Sequence, residues 1–346
     1  MTETSNSRSE LNLGNASSLS EEGQVTVRPV YPHKLDAIVL AGTHRNPKRL
    51  IAGMNKAFLE IDDRPLVRHV VDALLAASHI DHIFVVGPIE QLSSALAHAP
   101  ARVCPVQQQG KMLTNLWAGI YASESRHDDL SEEQVHQRPL LITSCDLPLI
   151  SGRAINDFID RSAEQDNDLE NPVAMAVGLA EESGVNAFYP EGNDPGIIRP
   201  YVELGFGRMR LANIYVARPR NLAHQDFLQT GFAFRKAVDW RNVLLLGYNF
   251  LSQPGGWGAA WLTARLQLTL MLSGGKGWMY QKLRSGNTKS RVEKSVGDVL
   301  GGKIKLVTTP YGGLSLDVDD EEDYRILKQR YEEWMVIHNS TDESLS

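Results

Sequence analysis

Asp146 stands just past the end of an apolar run, in the stretch LLITSCDLPLI (140–150), with Pro148 close behind it. A carboxylate leaving a central strand is well placed to hold a hard cation against a phosphate. Mg2+ takes one or two protein carboxylates and completes its shell with phosphate oxygens and water. A partner acid is then expected, and LDVDDEEDY (316–324) supplies Asp317 and Asp319 at the end of a late strand. On a strand these two side chains face opposite sides, so one of them is expected at the ion. The alternative role for Asp146 is to cap a helix starting near Ser151. For Glu321, Glu322 and Asp323 it is favourable charge at the start of the final helix.

A second constellation lies in LAGTHRNPKRLIAGMNKAFLEIDDRPLV (40–67). Ala41 and Gly42 are small enough for backbone amides to approach a phosphate. His44, Arg45, Lys48 and Arg49 form a cationic loop, and Lys56 precedes the next apolar run. A glycine turn, a basic loop and a fixed lysine can together hold a triphosphate, because each phosphate oxygen needs a donor or a positive charge. Taken alone, the same residues read equally well as a basic surface loop. The segment SGGKGW (273–278) lacks the spacing and hydroxyl of a P-loop, and no G-x-G-x-x-G follows the first strand. The ten histidines form no H-E-x-x-H pair and the two cysteines no zinc cluster. Cys145, although adjacent to Asp146, is read as a small buried side chain.

The elements that must position these residues alternate in type. LDAIVLAG (35–42), HIFVVG (82–87), RVCPV (102–106) and PLLITS (139–144) are strand-like, and PLVRHVVDALLAA (65–77) and MLTNLWAGIYASES (112–125) have helical spacing. Such alternation predicts an α/β fold, Rossmann-like in three α/β/α layers around a mainly parallel sheet, with ligands at the carboxyl ends of the strands. The expected organisation is a polar tail over 1–33, an α/β core over 34–183, an inserted region over 184–300, a return to the core over 301–338 and a tail over 339–346. After Gly302, KIKLVTT and GLSLDV read as strands. WGAAWLTARLQLTLML (257–272) contains Arg265, is too short for a comfortable bilayer span and reads as a buried or lid helix, with a membrane-surface helix as the alternative. A net charge of −7 argues against a nucleic-acid binder. Two separated cysteines and no secretory signal make the cytoplasm the expected compartment.

With its motifs in this order, LAG…R…GMNKAFLEIDDRPLV, SCDLPLI and LDVDDEEDY, the chain resembles the nucleotidyltransferase superfamily that includes molybdenum-cofactor guanylyltransferases. The resemblance covers about the first 150 residues and the last 40 or so, and it implies a GT-A-type fold. It implies catalytic roles for Lys56, Arg49 and Asp146, and Mg2+ held by Asp146 and Asp319, with Asp317 as the fallback. The nucleotide set it implies is Leu40, Ala41, Gly42, Thr43, Arg45, Lys56, Gln109, Gly110 and Asn115. Within it, Gln109 and Asn115 can read base edges. Thr43, His44 and Arg45 make the phosphate loop bulkier than the family pattern. The implied partners are a nucleoside triphosphate and a phosphorylated small molecule. Neither nucleic acid nor stable membrane insertion is expected, and a homo-oligomer is possible. Arg199, Arg208, Arg235, Lys236 and Arg241 are grouped as cations available to an acceptor phosphate. A glycosyltransferase of related fold, suggested by the D-x-D at 317–319, and a non-catalytic nucleotide-binding protein are the alternatives.

Overall fold

The computed structural model describes residues 31–42, 50, 51, 53–225 and 256–340. Most of the expected N-terminal tail, residues 341–346 and the loop residues Thr43, His44, Arg45, Lys48 and Arg49 lie outside the described residues. So do Arg235, Lys236 and Arg241.

Among the described residues ten strands run in chain order: β1 Leu35–Leu40, β2 Glu60–Ile61, β3 Arg64–Pro65, β4 Ile80–Gly87, β5 Val103–Gln107, β6 Leu140–Ser144, β7 Met175–Glu181, β8 Val202–Leu204, β9 Gly207–Ala217 and β10 Ile304–Thr309. The helices are α1 Leu66–Ala76, α2 Ile89–Ala95, α3 Met112–Glu124, α4 Glu132–Gln137, α5 Gly152–Gln165, α6 Glu182–Asn186, α7 Gly256–Leu272, α8 Trp278–Ser285, α9 Lys289–Leu300 and α10 Glu321–Ser340. The main sheet has the order β10-β7-β9-β6-β1-β4-β5, with β8 added against β9. Strands β5, β4, β1 and β6 are mutually parallel, as are β7 and β10, and β9 alone runs antiparallel to both its neighbours β6 and β7. The fold is therefore three-layered α/β/α with a mixed, mainly parallel sheet. β9 comes from the segment expected as an insertion, yet it closes the gap between the two parallel blocks.

The β-branched strands bury both faces. On one side Val67, Val70 and Leu74 of α1 and Ile155, Phe158 and Ile159 of α5 pack against Val39, Val85 and Leu141. On the other side Leu116 and Ile120 of α3 and Leu300 of α9 cover Ile38, Val86 and Ile142. Buried apolar surface at about 25 cal/mol per Å² is what holds these layers together. A third cluster seats α10, through Leu327, Tyr331 and Trp334, on Leu59, Ile61 and Leu66.

Two local readings change. Ser151 caps α5, its hydroxyl accepting the Ala154 N–H at 3.2 Å, so Asp146 has no capping duty. GLSLDV is not a strand: Gly312–Ser315 forms a 3-10 turn, and the extended residues beyond it make a single backbone bond into the core, Val318 N–H to the Asp146 carbonyl at 3.2 Å. The turn lifts the chain off the sheet edge, so no ladder forms.

His69 on α1 ties α10 down. Its Nε2 donates to the Ile61 carbonyl at 2.8 Å, and its Nδ1 accepts from the Tyr331 hydroxyl at 2.9 Å. Burial lowers the His69 pKa below its ordinary value of 6.5. The unfolded chain thus takes up this proton at higher pH than the folded chain. Stability is complete above the unfolded value and declines as pH falls through it. In denaturant unfolding at about pH 7.5 and about pH 5.5, wild type is expected to lose more stability than His69→Gln. Equal losses would remove His69 as the source of acid sensitivity.

Candidate active site

The in-register pairing of β1 with β6 sets Leu40 opposite Ser144. Ala41 and Gly42 therefore leave the sheet beside Cys145 and Asp146, at its carboxyl edge. Asn55 organises the next piece. Its Nδ2 donates to the Ala41 carbonyl at 3.1 Å, and its Oδ1 accepts the Ala57 N–H at 3.2 Å. That side-chain cap starts a 3-10 turn, Lys56–Phe58, and fixes Lys56 over the strand ends.

Above β1, the buried Asn115 shapes a second loop. Its Oδ1 accepts the N–H of Gln109 at 2.6 Å and of Gly110 at 3.1 Å. Gly110 takes a φ of +107°, which a side chain would resist. A Cβ on Gly42 would lie 2.5 Å from Asn115 Nδ2, so the two loops close on each other only because residue 42 is glycine. The oxygen of Asn115 is thus committed to the backbone, and its amide nitrogen faces Gly42.

Lys56 Nζ lies 3.6 Å from Asp146 Oδ2 and 3.4 Å from Asp319 Oδ1. Asp146 and Asp319, 173 positions apart, share one ammonium. Burial works against the charged lysine, but the Asp146, Asp319 and Asp317 carboxylates together outweigh it and raise its pKa. Asp317 sits deeper. Its Oδ1 is buried without a hydrogen bond, and the nearest cation, Arg210 Nη2, is 3.6 Å away. Burial, then Asp146 and Asp319, raise its pKa. Asp319 by contrast is half exposed.

The segment carrying these acids is clamped by residues that local sequence reading does not single out for the purpose. Arg199 grips the Asp323 carboxylate with both terminal nitrogens, and its Nη2 donates to the Asp317 carbonyl at 2.8 Å. Asp323 Oδ2 in turn accepts the Asp319 N–H at 2.9 Å. Asp323 is therefore an internal anchor rather than mere dipole-favourable charge, and Arg199 is spent on the clamp. Arg208 likewise pairs with Glu182 and Glu203 instead of standing free for an acceptor. The one local signal that could have marked Asn55 is its residue type, since Asn is favoured at caps. The Arg199–Asp323 pair, 124 positions apart, had no local signal. Burial pushes the Cys145 thiol far up, which keeps it protonated and removes it as a nucleophile.

Convergent carboxylates around a single cation are a donor set of the kind a hard divalent ion uses. The orphaned Asp317 oxygen is one unfilled acceptor in it. A second group can also hold a divalent ion: ligand atoms of Asp36, Asp81 and His82 lie within 4.8 Å of one another. It sits at the amino ends of β1 and β4, the opposite edge of the sheet. There the Asp36 carboxylate already accepts the His82 N–H at 3.2 Å and the Ser123 hydroxyl at 2.5 Å. A carboxylate so engaged is a structural anchor, although among the described residues it is this group, and not the acids at the carboxyl edge, that brings three ligand atoms so close.

Residues 37–191 match the family profile of the MobA-like NTP transferase domain. No curated protein matches the chain. Among solved structures the chain is similar to a hypothetical transferase from Thermus thermophilus, at 23% identity and a TM-score of 0.50, over 84% of this chain and 99% of that one. It is also similar to 4-diphosphocytidyl-2C-methyl-D-erythritol synthase from Anaerococcus prevotii, at 11% identity and a TM-score of 0.43, over 87% and 96% of the two chains. A third is CMP:2-keto-3-deoxy-manno-octonic acid synthetase complexed with CTP, at 12% identity and a TM-score of 0.41, over 87% and 99%. The strand order is that of a three-layer α/β/α fold, and within it residues 37–191 match the MobA-like NTP transferase domain.

Proposed function

We propose that the protein transfers a nucleoside monophosphate from a nucleoside triphosphate to a phosphorylated small molecule and releases pyrophosphate. The observation that carries this reading is the Lys56 ammonium shared by Asp146 and Asp319 at the carboxyl edge, beside the close-packed Gly42. Mg2+ would be held by Asp146 and Asp319, with Asp317 behind them, and when bound it would supply charge stabilisation at the α-phosphate.

The remaining chemistry belongs to the chain. An acceptor phosphate oxygen attacks the α-phosphorus and forms the new P–O bond. The α–β bridging bond breaks, and its electron pair leaves on pyrophosphate. A phosphate monoester is largely ionised near neutral pH, since its second pKa is about 6, so no general base is needed. That fits a site holding no thiolate, as Cys145 stays protonated. Lys56 and the proposed arginine contacts of the 43–49 loop, Arg45 and Arg49, neutralise the departing pyrophosphate. Leu40, Ala41, Gly42 and Thr43 would line the triphosphate with backbone. Gln109 and Gly110, their amides fixed by Asn115, would border the base. Catalysis is then mostly alignment plus charge stabilisation.

The direct test is pyrophosphate release from ATP, CTP, GTP or UTP with Mg2+, across a panel of phosphosugars and phospho-acids. Release that depends on one triphosphate and one acceptor class is expected. Sugar transfer from a nucleotide sugar, or binding without turnover throughout, would contradict the reading. Asp146→Asn is expected to lower kcat/KM by about 10³-fold or more with the melting temperature little changed. Retention of near-normal activity would exclude Asp146 from the reaction. Lys56→Met leaves the carboxylates without their shared cation. It is expected to melt earlier than wild type in chelator, and to gain more melting temperature from Mg2+ alone. An Mg2+ response no larger than wild type's would separate the lysine from the ion site.

A further inference from the structure

The inward face of α7 buries Leu262, packs Leu266 against the core, and is anchored by polar groups. Arg265 Nε donates to Asn287 Oδ1 at 2.7 Å, and Asn287 Nδ2 donates to the Thr269 hydroxyl at 3.2 Å and to the Glu203 carbonyl at 2.9 Å. Tyr280 of α8 donates to the buried Glu203 carboxylate at 2.8 Å. The outward face is apolar: Trp257, Trp261, Ala264, Leu268 and Met271 recur at spacings of four and three, which places them on one stripe. Trp257 is 73% exposed, Trp261 70% and Met271 81%. Trp278 and Met279, at the start of α8, are exposed as well. The helix expected to be buried is thus buried on one side only, and a hydrophobic stripe on its other side faces solvent.

Charge says what fits this stripe. From residue 256 to residue 292 the chain has no Asp or Glu but holds Arg265, Lys276, Lys282, Arg284, Lys289 and Arg291, in a protein whose net charge is −7. Lys276 and Lys282 are exposed, and among the described residues neither has an ion-pair partner. An isologous dimer through this face would set an acid-free surface against itself. An anionic bilayer complements it. Tryptophan is suited to the boundary between headgroups and acyl chains, and lysines beside it are attracted to anionic headgroups. Among the described residues no helix is long and apolar enough to cross a membrane, so the contact is peripheral.

We propose that the exposed face of α7, with Trp278, Met279, Lys276 and Lys282, docks the protein on an anionic lipid surface. The site is independent of the nucleotide chemistry proposed above. The test is co-sedimentation of the full chain with vesicles of phosphatidylcholine alone and of phosphatidylcholine with phosphatidylglycerol. Binding to the anionic vesicles, weakened by salt, is expected. Trp257→Ser with Trp261→Ser should weaken it by at least about tenfold. Lys276→Gln with Lys282→Gln should weaken it by about fivefold per lysine. Brominated lipid should quench the tryptophan fluorescence of the unmodified protein, a readout that needs no variant. Failure of wild type to bind, equal binding by both variants, or no bromine quenching would overturn the proposal. So would a wild-type dimer that the tryptophan substitutions convert to monomer without loss of vesicle binding, which would assign the stripe to self-association.

Discussion

Mutual repulsion among the Asp146, Asp317 and Asp319 carboxylates is the constraint around which the carboxyl edge is organised. Such a cluster persists only with positive charge inside it. Lys56 provides that charge to Asp146 and Asp319, and Arg210 faces Asp317. Water screens the share falling on the half-exposed Asp319.

That constraint explains much of the scaffold. The β1–β6 register delivers Asp146, and the Asn55 cap delivers Lys56. The two late acids arrive on an irregular segment that would splay away from Asp146 without fixed contacts. Arg199 and Asp323 hold it, and one backbone bond from Val318 to the Asp146 carbonyl pins it to the strand exit.

Local patterning was enough to identify most of the core. The alternation of β-branched runs with helical spacing marks β1, β4, β5 and β6 with their helices, and Asp146 and Lys56 stand out by type and position. What local patterning could not supply is long-range pairing. The run RLANIYVARP reads as a strand, yet nothing local says that β9 lies antiparallel between β6 and β7. GLSLDV has strand composition, but consecutive glycines at 312 and 313 turn it into a 3-10 segment. Asn115 has the chemistry to read a base edge, but its oxygen is committed to two loop amides that only the folded chain brings near. The stripe on α7 was apolar enough to suggest burial, and hydropathy alone does not say which side of a helix meets the core.

The most direct measurement is a crystal structure with Mn2+ and a non-hydrolysable nucleoside triphosphate, with the ion located by its anomalous signal. The account predicts one ion bonded to Asp146 and to a carboxylate of Asp319 or Asp317, and Lys56 moved off the acids onto a phosphate oxygen. A triphosphate bound elsewhere, an ion at Asp36 and His82 instead, or Lys56 still bridging Asp146 and Asp319 beside the bound nucleotide would contradict it.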